Sequence, residues 1–247
     1  MKLNENREGW KTKVFMWSLS IHKVLARLKR KDLRLVSLSY PMNISNDDPR
    51  RPVLMEYPLT LSDDDPRAAT LELMSREIYR YNIEGSTAEL GVFRGDFARL
   101  INHYFPDRKL YLFDTFEGFD KRDAETDRRE KFSPATQDFT QTSVELALSK
   151  MEHRENCIIR KGWFPDTAEG VDDKFCFVSL DCDLYQPIRA GLEFFYPRLV
   201  HGGVIMLHDF NNMDYQGVRE AVKEFCDKNN TGYVCLSDVC GSVAIVK

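Results

Sequence analysis

Residues 175–185 read Phe-Cys-Phe-Val-Ser-Leu-Asp-Cys-Asp-Leu-Tyr, an apolar run that ends in acid at Asp181. A second apolar run at residues 203–207, Gly-Val-Ile-Met-Leu, is followed directly by His208 and Asp209. Both runs have the length of buried strands, and in open α/β sheets ligands bind beyond the carboxyl ends of the strands. We therefore expect the two strand ends to deliver polar side chains to one shared pocket.

Short apolar strands alternate with helical patterns over the rest of the chain. The predicted strands lie at 87–93, 109–115, 156–163, 175–181 and 204–208, and the predicted helices at 66–82, 96–104, 143–151, 187–196 and 215–229. Such alternation is typical of βαβ units in a doubly wound, mostly parallel sheet covered on both faces. Two final apolar runs, at 233–237 and 242–246, are joined by so short a link that they can pair only antiparallel.

The first quarter of the chain has a different character. Residues 1–34 place apolar side chains at helical spacing between lysines and arginines, and residues 40–66 are rich in Pro and Asp. We predict an N-terminal helical extension, lid and linker at 1–57, followed by an α/β domain at 58–247. The apolar stripe is expected to pack on the core or on a second subunit, which predicts a homodimer; docking to a membrane surface is the alternative.

Composition limits the partners and the compartment. The 247 residues are 43% hydrophobic, and 35 basic and 39 acidic residues give a net charge of −4 without basic blocks, so we expect no nucleic-acid partner. The six cysteines form no C-x-x-C pair, which predicts reduced thiols and a cytoplasmic protein. We also expect no transmembrane segment and no signal peptide, since no apolar run has the length of a membrane span.

The first two strands carry the signals of a nucleotide site. The first strand runs into Glu89-Leu-Gly91-Val-Phe-Arg-Gly95, and glycines let the backbone approach a ligand closely, although plain helix–strand packing is an equal alternative. The second strand ends in Asp114, where nucleotide folds bind ribose hydroxyls. The dinucleotide fingerprint is incomplete, and Glu89 beneath this turn suits a cationic ligand, which indicates S-adenosylmethionine.

The third strand ends in Lys-Gly-Trp-Phe-Pro-Asp-Thr at residues 161–167. Gly162 beside the aromatic Trp163 could cradle an adenine ring, and an aromatic plug in the core is the equally weighted alternative.

Five segments, taken in order, resemble one known family. They lie at 88–95, 112–119, 161–167, 180–185 and 196–203, and the likeness extends over about residues 57–247. Together they are similar to the macrocin- and mycinamicin-type, TylF-like sugar O-methyltransferases.

The resemblance implies a class I methyltransferase (Rossmann-like) fold, whose seven-stranded sheet ends in an antiparallel hairpin. It implies S-adenosyl-L-methionine as methyl donor and a hydroxyl of a saccharide or glycosylated small molecule as acceptor. The residues that it places at the cofactor are Glu89, Gly91, Gly95 and Asp114, with Gly162 and Trp163 near the adenine. It also makes Asp181 a metal ligand and base.

One departure from the family leaves the metal open. Magnesium-dependent members typically carry two consecutive acids where this chain has His208-Asp209. Imidazole in place of a hard carboxylate weakens a Mg²⁺ site, so we keep two alternatives. In one, Asp181 and Asp209 hold a metal with Asn211 or Asn212 as a neutral donor. In the other, no metal is bound, and Asp181 or, second, His208 is the catalytic base.

Further alternatives concern the whole function and two local features. A nicotinamide (NAD) oxidoreductase is the alternative enzyme, although a Tyr-x-x-x-Lys pair is missing, and a non-catalytic protein of the same fold is the third hypothesis. Asp183 is expected to cap the helix that follows it or to support Asp181. The charged insertion at 116–142 shows no pattern of a packed element, which predicts a lid, an acceptor-specificity loop or a solvated excursion.

Overall fold

The computed structural model describes residues 65–238 and 240–247. The predicted N-terminal extension and linker at 1–57, with the predicted dimer contact and the domain boundary, lie outside the described residues and stay predictions. No helix in the described part of the chain is both long and apolar enough to cross a lipid bilayer.

The described residues form alternating helices and strands. The helices are α1 (Asp65–Arg80), α2 (Ala98–Tyr104), α3 (Lys121–Glu130), α4 (Val144–Leu148), α5 (Tyr185–Arg198) and α6 (Gln216–Asn229). The strands are β1 (Ser86–Leu90), β2 (Leu110–Asp114), β3 (Cys157–Lys161), β4 (Phe175–Leu180), β5 (Leu199–Leu207), β6 (Val234–Cys235) and β7 (Val243–Val246). Short 3₁₀ turns at Arg154–Asn156 and Asp166–Ala168 flank β3.

The strands form one seven-stranded sheet in the order β3-β2-β1-β4-β5-β7-β6. Strands β1 to β5 pair in parallel, whereas β7 lies antiparallel between β5 and β6. The predicted doubly wound sheet with a terminal antiparallel hairpin is therefore confirmed.

The core lies on both faces of this sheet. All six residues of β4 are buried, as expected for a central strand that helices cover on each side. One apolar cluster packs the sheet against α5 and α6 through residues such as Leu192 and Val222, and a second packs it against α1 and α2 through residues such as Leu71 and Ile101. This double cover fixes the strand ends, where the cavity described below opens.

Main-chain hydrogen bonds continue beyond the ends of four strands. In each of them the amide of the residue after one strand donates to a carbonyl of the neighbouring strand: Gly162 to Asp114 at 2.9 Å, Gly91 to Phe113 at 2.9 Å, Asp181 to Leu90 at 2.8 Å and His208 to Leu180 at 3.0 Å. The residues that carry the predicted site are therefore held by the sheet itself.

The prediction that no packed element lies in residues 116–142 is wrong, because α3 lies within this insertion. Asp120 caps α3 by accepting from the Arg122 amide at 2.9 Å, and three residues of the helix are buried: Asp123, Ala124 and Asp127. The buried face is made of two acids and an alanine, so it has no apolar periodicity that the sequence could have shown.

Candidate active site

A cavity of about 440 Å³ opens at the carboxyl ends of the parallel strands. It is lined both by residues predicted to bind the cofactor and by residues predicted to be catalytic or to bind a metal: Glu89, Gly91, Asp114, Gly162, Trp163, Asp181, His208 and Asp209. We call the side near β1 to β3 the cofactor half, and the side near the ends of β4 and β5 the acceptor half. The shared pocket expected from the two acidic strand ends is therefore present.

Gly91 and Gly95 have separate structural tasks. Gly91 has a φ of +90°, and a Cβ there would lie 2.0 Å from the carbonyl oxygen of Asp181, so the close approach of the ends of β1 and β4 requires glycine. Gly95 does not line the cavity and faces α4, where a Cβ would lie 3.0 Å from the Cα of Ala147. A cofactor role for Gly95 stays a prediction.

Glu89 is a buried acid that faces the cavity. Glu89 is only 1% exposed, and its Oε2 has no hydrogen-bond partner among the described residues. Burial raises the pKa of this carboxyl well above its ordinary value; Arg67 opposes the shift, and the charges of Asp181 and Asp114 add to it. Buried carboxyls normally have partners, so the site fits a ligand that brings a cationic donor such as an ammonium group.

Asp114 organises the glycine turn in this structure. Its Oδ2 accepts from the amides of Val92 at 2.7 Å and Phe93 at 2.8 Å, and its Oδ1 accepts from Phe116 at 2.5 Å. A carboxylate has roughly four acceptor positions, which leaves about one for a ligand hydroxyl. The role of Asp114 in binding ribose stays a prediction.

Helix α3 contributes to the end of the cofactor half. Trp163 Nε1 donates to Asp123 at 3.0 Å, and the Arg122 guanidinium lies 3.8 Å from the centre of the Trp163 ring. Burial raises the pKa of Asp123 to about 6, although the Trp163 hydrogen bond opposes this shift. The neighbouring Phe164, which is 4% exposed, packs in the core, and it lines the cavity beside Trp163.

The acceptor half is centred on Asp181, which has a cationic partner that the sequence did not indicate. Arg67 of α1 donates from Nη1 to Asp181 Oδ2 at 2.8 Å and from Nη2 to Ser179 Oγ at 3.2 Å. Its guanidinium also stacks on Phe97, 3.7 Å from the ring centre. The arginine lies 114 positions before Asp181, so no local motif connects the two.

His208 lies between two carboxylates. Its Nδ1 is 3.1 Å from Asp181 Oδ1 and 2.9 Å from Asp209 Oδ2. Burial would raise the pKa of Asp181, but Arg67 and His208 more than offset this and hold it well below its ordinary value. Asp181 is therefore an anion that holds the guanidinium of Arg67 and orients the ring of His208.

Asp183 belongs to the same cluster, and the prediction that it caps the next helix is wrong. The N-cap residue of α5 is Leu184, and its side chain makes no capping hydrogen bond. Instead, Asp127 of α3 accepts from the Tyr185 amide at 3.0 Å. Burial, followed by the charges of Asp209 and Asp181, raises the pKa of Asp183 well above its ordinary value. This second carboxyl of the acceptor half carries a proton more readily than Asp181.

The acceptor half has the carboxylates of a metal site, but other side chains already contact their oxygens. Asp181, Asp183 and Asp209 each bring an oxygen within 4.8 Å of the others. However, Arg67 and His208 contact both oxygens of Asp181, and Asn212 donates its amide hydrogen to Asp209 at 2.7 Å. Mg²⁺ prefers oxygen ligands and would lie here beside a guanidinium, so these residues do not fit it.

The sheet order, with its terminal antiparallel hairpin, is that of the class I methyltransferase fold. A likeness to a solved structure supports the fold: the O-methyltransferase NovP matches with a TM-score of 0.60 at 20% identity, over 74% of this chain and 80% of that chain. The chain belongs to the macrocin-O-methyltransferase (TylF) family, whose model matches residues 49–235. The family resemblance of the sequence motifs is therefore confirmed.

Two curated relatives are O-methyltransferases by name. The chain is 27% identical over 164 residues to mycinamicin III 3''-O-methyltransferase of Micromonospora griseorubida, which covers 61% of this chain and 63% of that protein. It is 25% identical over 155 residues to 8-demethyl-8-(2,3-dimethoxy-alpha-L-rhamnosyl)-tetracenomycin-C 4'-O-methyltransferase of Streptomyces olivaceus, which covers 58% of each chain. The chain thus spans about three fifths of the length of these curated relatives.

Proposed function

We propose that this protein is an S-adenosylmethionine-dependent O-methyltransferase that acts on a hydroxyl of a saccharide or a glycosylated small molecule. The observation that carries the proposal is one cavity with two chemically different halves. The cofactor half holds a buried, unsatisfied Glu89 oxygen, and the acceptor half holds an oriented imidazole among carboxylates. Family membership supports this function over a nicotinamide oxidoreductase.

The cofactor half suits the amino-acid end and the nucleoside of S-adenosylmethionine. Glu89 would accept from the ammonium group, and Asp114 would accept from a ribose hydroxyl while it holds the turn around Gly91. Trp163, fixed by Asp123, would cover the adenine. When bound, S-adenosylmethionine supplies an electrophilic methyl group for an in-line displacement by the acceptor oxygen.

The acceptor half positions the hydroxyl and receives its proton. A sugar hydroxyl is a weak acid, so a base close to the oxygen accelerates the transfer. Asp181, the first candidate from the sequence, is held as a stable anion by the guanidinium of Arg67 and by its contact with His208, and is thus a weak base. His208 is the better candidate: Asp181 and Asp209 orient its ring through Nδ1, and Nε2 takes the proton.

Two measurements test this function. Titration calorimetry should detect S-adenosylmethionine binding by the full chain, and absence of heat at millimolar ligand contradicts the proposal. Transfer of a labelled methyl group should then be found with glycosylated small molecules or nucleotide sugars. A matched set of the corresponding aglycones, with no transfer, serves as the control for the sugar as acceptor.

The same proposal includes the arrangement of the whole chain. We place the methyltransferase domain at residues 58–247 and the N-terminal extension at 1–57, with the extension as the contact of a cytoplasmic homodimer. Light scattering of the full chain tests the dimer, and a monomer at micromolar concentration contradicts it.

A further inference from the structure

We infer that Arg67 supplies, as a built-in guanidinium, the positive charge that a divalent metal would supply in the acceptor half, so that methyl transfer by this chain needs no metal ion. The inference rests on the proposed function. It assigns to α1 a positioning residue for the reaction, in place of the predicted metal ligands Asp181 and Asp209.

The first argument is that Arg67 is built into the site. The side chain is 8% exposed, it lines the cavity, and its partner Asp181 is 21% exposed. Three contacts fix the guanidinium: the carboxylate of Asp181, the hydroxyl of Ser179 and the ring of Phe97. A planar guanidinium held by these three groups is a rigid cation rather than a surface charge.

The second argument is that Asp181 has a second nitrogen partner. His208 Nδ1 lies 3.1 Å from Asp181 Oδ1, whereas Arg67 donates to Oδ2. Each oxygen of Asp181 therefore has its own nitrogen partner. Both partners make the site unsuited to a cation of the hard, oxygen-seeking type.

The third argument is the task that the charge performs. As the acceptor oxygen bonds to the methyl carbon and the carbon–sulfur bond breaks, its proton passes to the base, and the oxygen is most negative while the proton leaves. A fixed positive charge near this oxygen stabilises that arrangement without reorganisation. Arg67 acts through Asp181, whose anion holds His208 in place.

Manganese binding tests the absence of a metal site directly. Mn²⁺, followed by electron paramagnetic resonance, should not bind to the wild-type chain at submillimolar concentration, whereas the double variant Arg67→Met/His208→Asp should gain one Mn²⁺ per chain. Zn²⁺ by calorimetry should likewise show no tight site in the wild type. One tightly bound Mn²⁺ or Zn²⁺ per wild-type chain, lost on Asp181→Asn, overturns the inference.

Kinetics with a matched arginine test the role of the charge. Arg67→Met should lower kcat about 100-fold, and Arg67→Lys should recover part of the loss. The control is Arg80→Met on the same helix, whose exposed pair with Glu77 lies outside the cavity. Equal rates for Arg67→Met and Arg80→Met, with folding verified by circular dichroism, overturn the inference.

The two proposals fail in different ways. If the wild type does not bind S-adenosylmethionine, the proposed function fails, whereas the Mn²⁺ titration still reports on the site. If the wild type binds S-adenosylmethionine and transfers methyl groups, but EDTA abolishes transfer and Mg²⁺ restores it, only the role given to Arg67 fails.

Discussion

The two halves of the cavity use the same residue type at strand ends for opposite purposes. In the cofactor half, Asp114 is surrounded by main-chain amides and Glu89 keeps one oxygen without a partner. In the acceptor half, Asp181 and Asp209 are engaged by the side chains of Arg67 and His208. The partner of a carboxyl, rather than the acid itself, therefore decides whether that carboxyl orders the backbone, receives a ligand or holds a cation.

The largest effect is expected where a side-chain cation loses its anion. Asp181→Leu removes the carboxylate to which Arg67 Nη1 donates, and breaking a buried pair in this way costs about 3–5 kcal/mol of unfolding free energy. Urea denaturation measures the loss. The double variant Arg67→Met/Asp181→Leu should regain much of it, because the guanidinium is removed together with this carboxylate; a double variant as unstable as the single one contradicts the pairing.

In the cofactor half the main effect should fall on binding. Glu89→Gln removes a charged acceptor, which is worth about 1.5–3 kcal/mol, so the affinity for S-adenosylmethionine should fall about 10- to 100-fold in calorimetry. Glu84→Gln, an exposed acid just before β1, is the matched control. Equal affinities for the two variants would separate Glu89 from the ligand.

The raised pKa of Glu89 adds a pH dependence to this prediction. Its carboxyl is protonated more readily than an ordinary Glu in the free protein, and the ligand's ammonium group favours the ionised form. Affinity should therefore increase in the wild type as the pH rises through the raised pKa of Glu89, as long as the pH stays below the pKa of the ligand's ammonium group. The slope should vanish in Glu89→Gln, and an unchanged slope assigns the titration to another group.

Asp127 lies outside the cavity, yet it accepts from a main-chain amide as Asp114 does. Asp127→Ala removes the carboxyl oxygen that accepts from the Tyr185 amide at the start of α5, and should cost about 1–2 kcal/mol of unfolding free energy. Asp127→Asn keeps an acceptor oxygen and should cost much less. If both variants lose the same stability, the cap contributes little to α5.

A further effect concerns the charge of this cap. Burial raises the pKa of Asp127 to about 6, opposed by the Tyr185 amide. Because the pKa of Asp127 is higher in the folded protein than in the unfolded chain, folding favours the protonated carboxyl. The stability that this protonation contributes is complete below pH 4 and is lost as the pH rises through 6. Relative to Asp127→Asn, the wild type should lose about 1–2 kcal/mol between pH 4 and pH 7, as measured by urea denaturation at each pH. A constant difference between the two contradicts the shift.

Most of the sheet could be predicted from the sequence because its strands are apolar and end in acids or glycines. The largest error at a strand boundary is five residues: β5 begins at Leu199, paired with Phe175 across an irregular register, which no periodicity indicates. The family motifs also brought the cavity residues Glu89 and Trp163 to the correct edge of the sheet.

The features that sequence reasoning missed all depend on contacts between distant residues. Arg67 reaches Asp181 only after α1 folds onto the sheet, and Asp127 caps a helix that begins 58 positions later. The position of Asp183 before Pro187 suggested a cap, yet its backbone adopts φ +61° and its carboxyl joins the acidic cluster instead. Local spacing predicts where an acid lies in the chain but not which partner it meets.

The main-chain hydrogen bonds that extend past the strand ends also bear on how such an enzyme could be redesigned. Because Asp181 and His208 are anchored through their amides, exchanging their side chains alters the chemistry while the backbone beneath stays in register. Acceptor choice, by contrast, can change through Asn212, Asp214 and Tyr215, which line the cavity without belonging to the sheet. Directed evolution of new substrates should therefore concentrate its libraries on those three positions and leave the strand ends as they are.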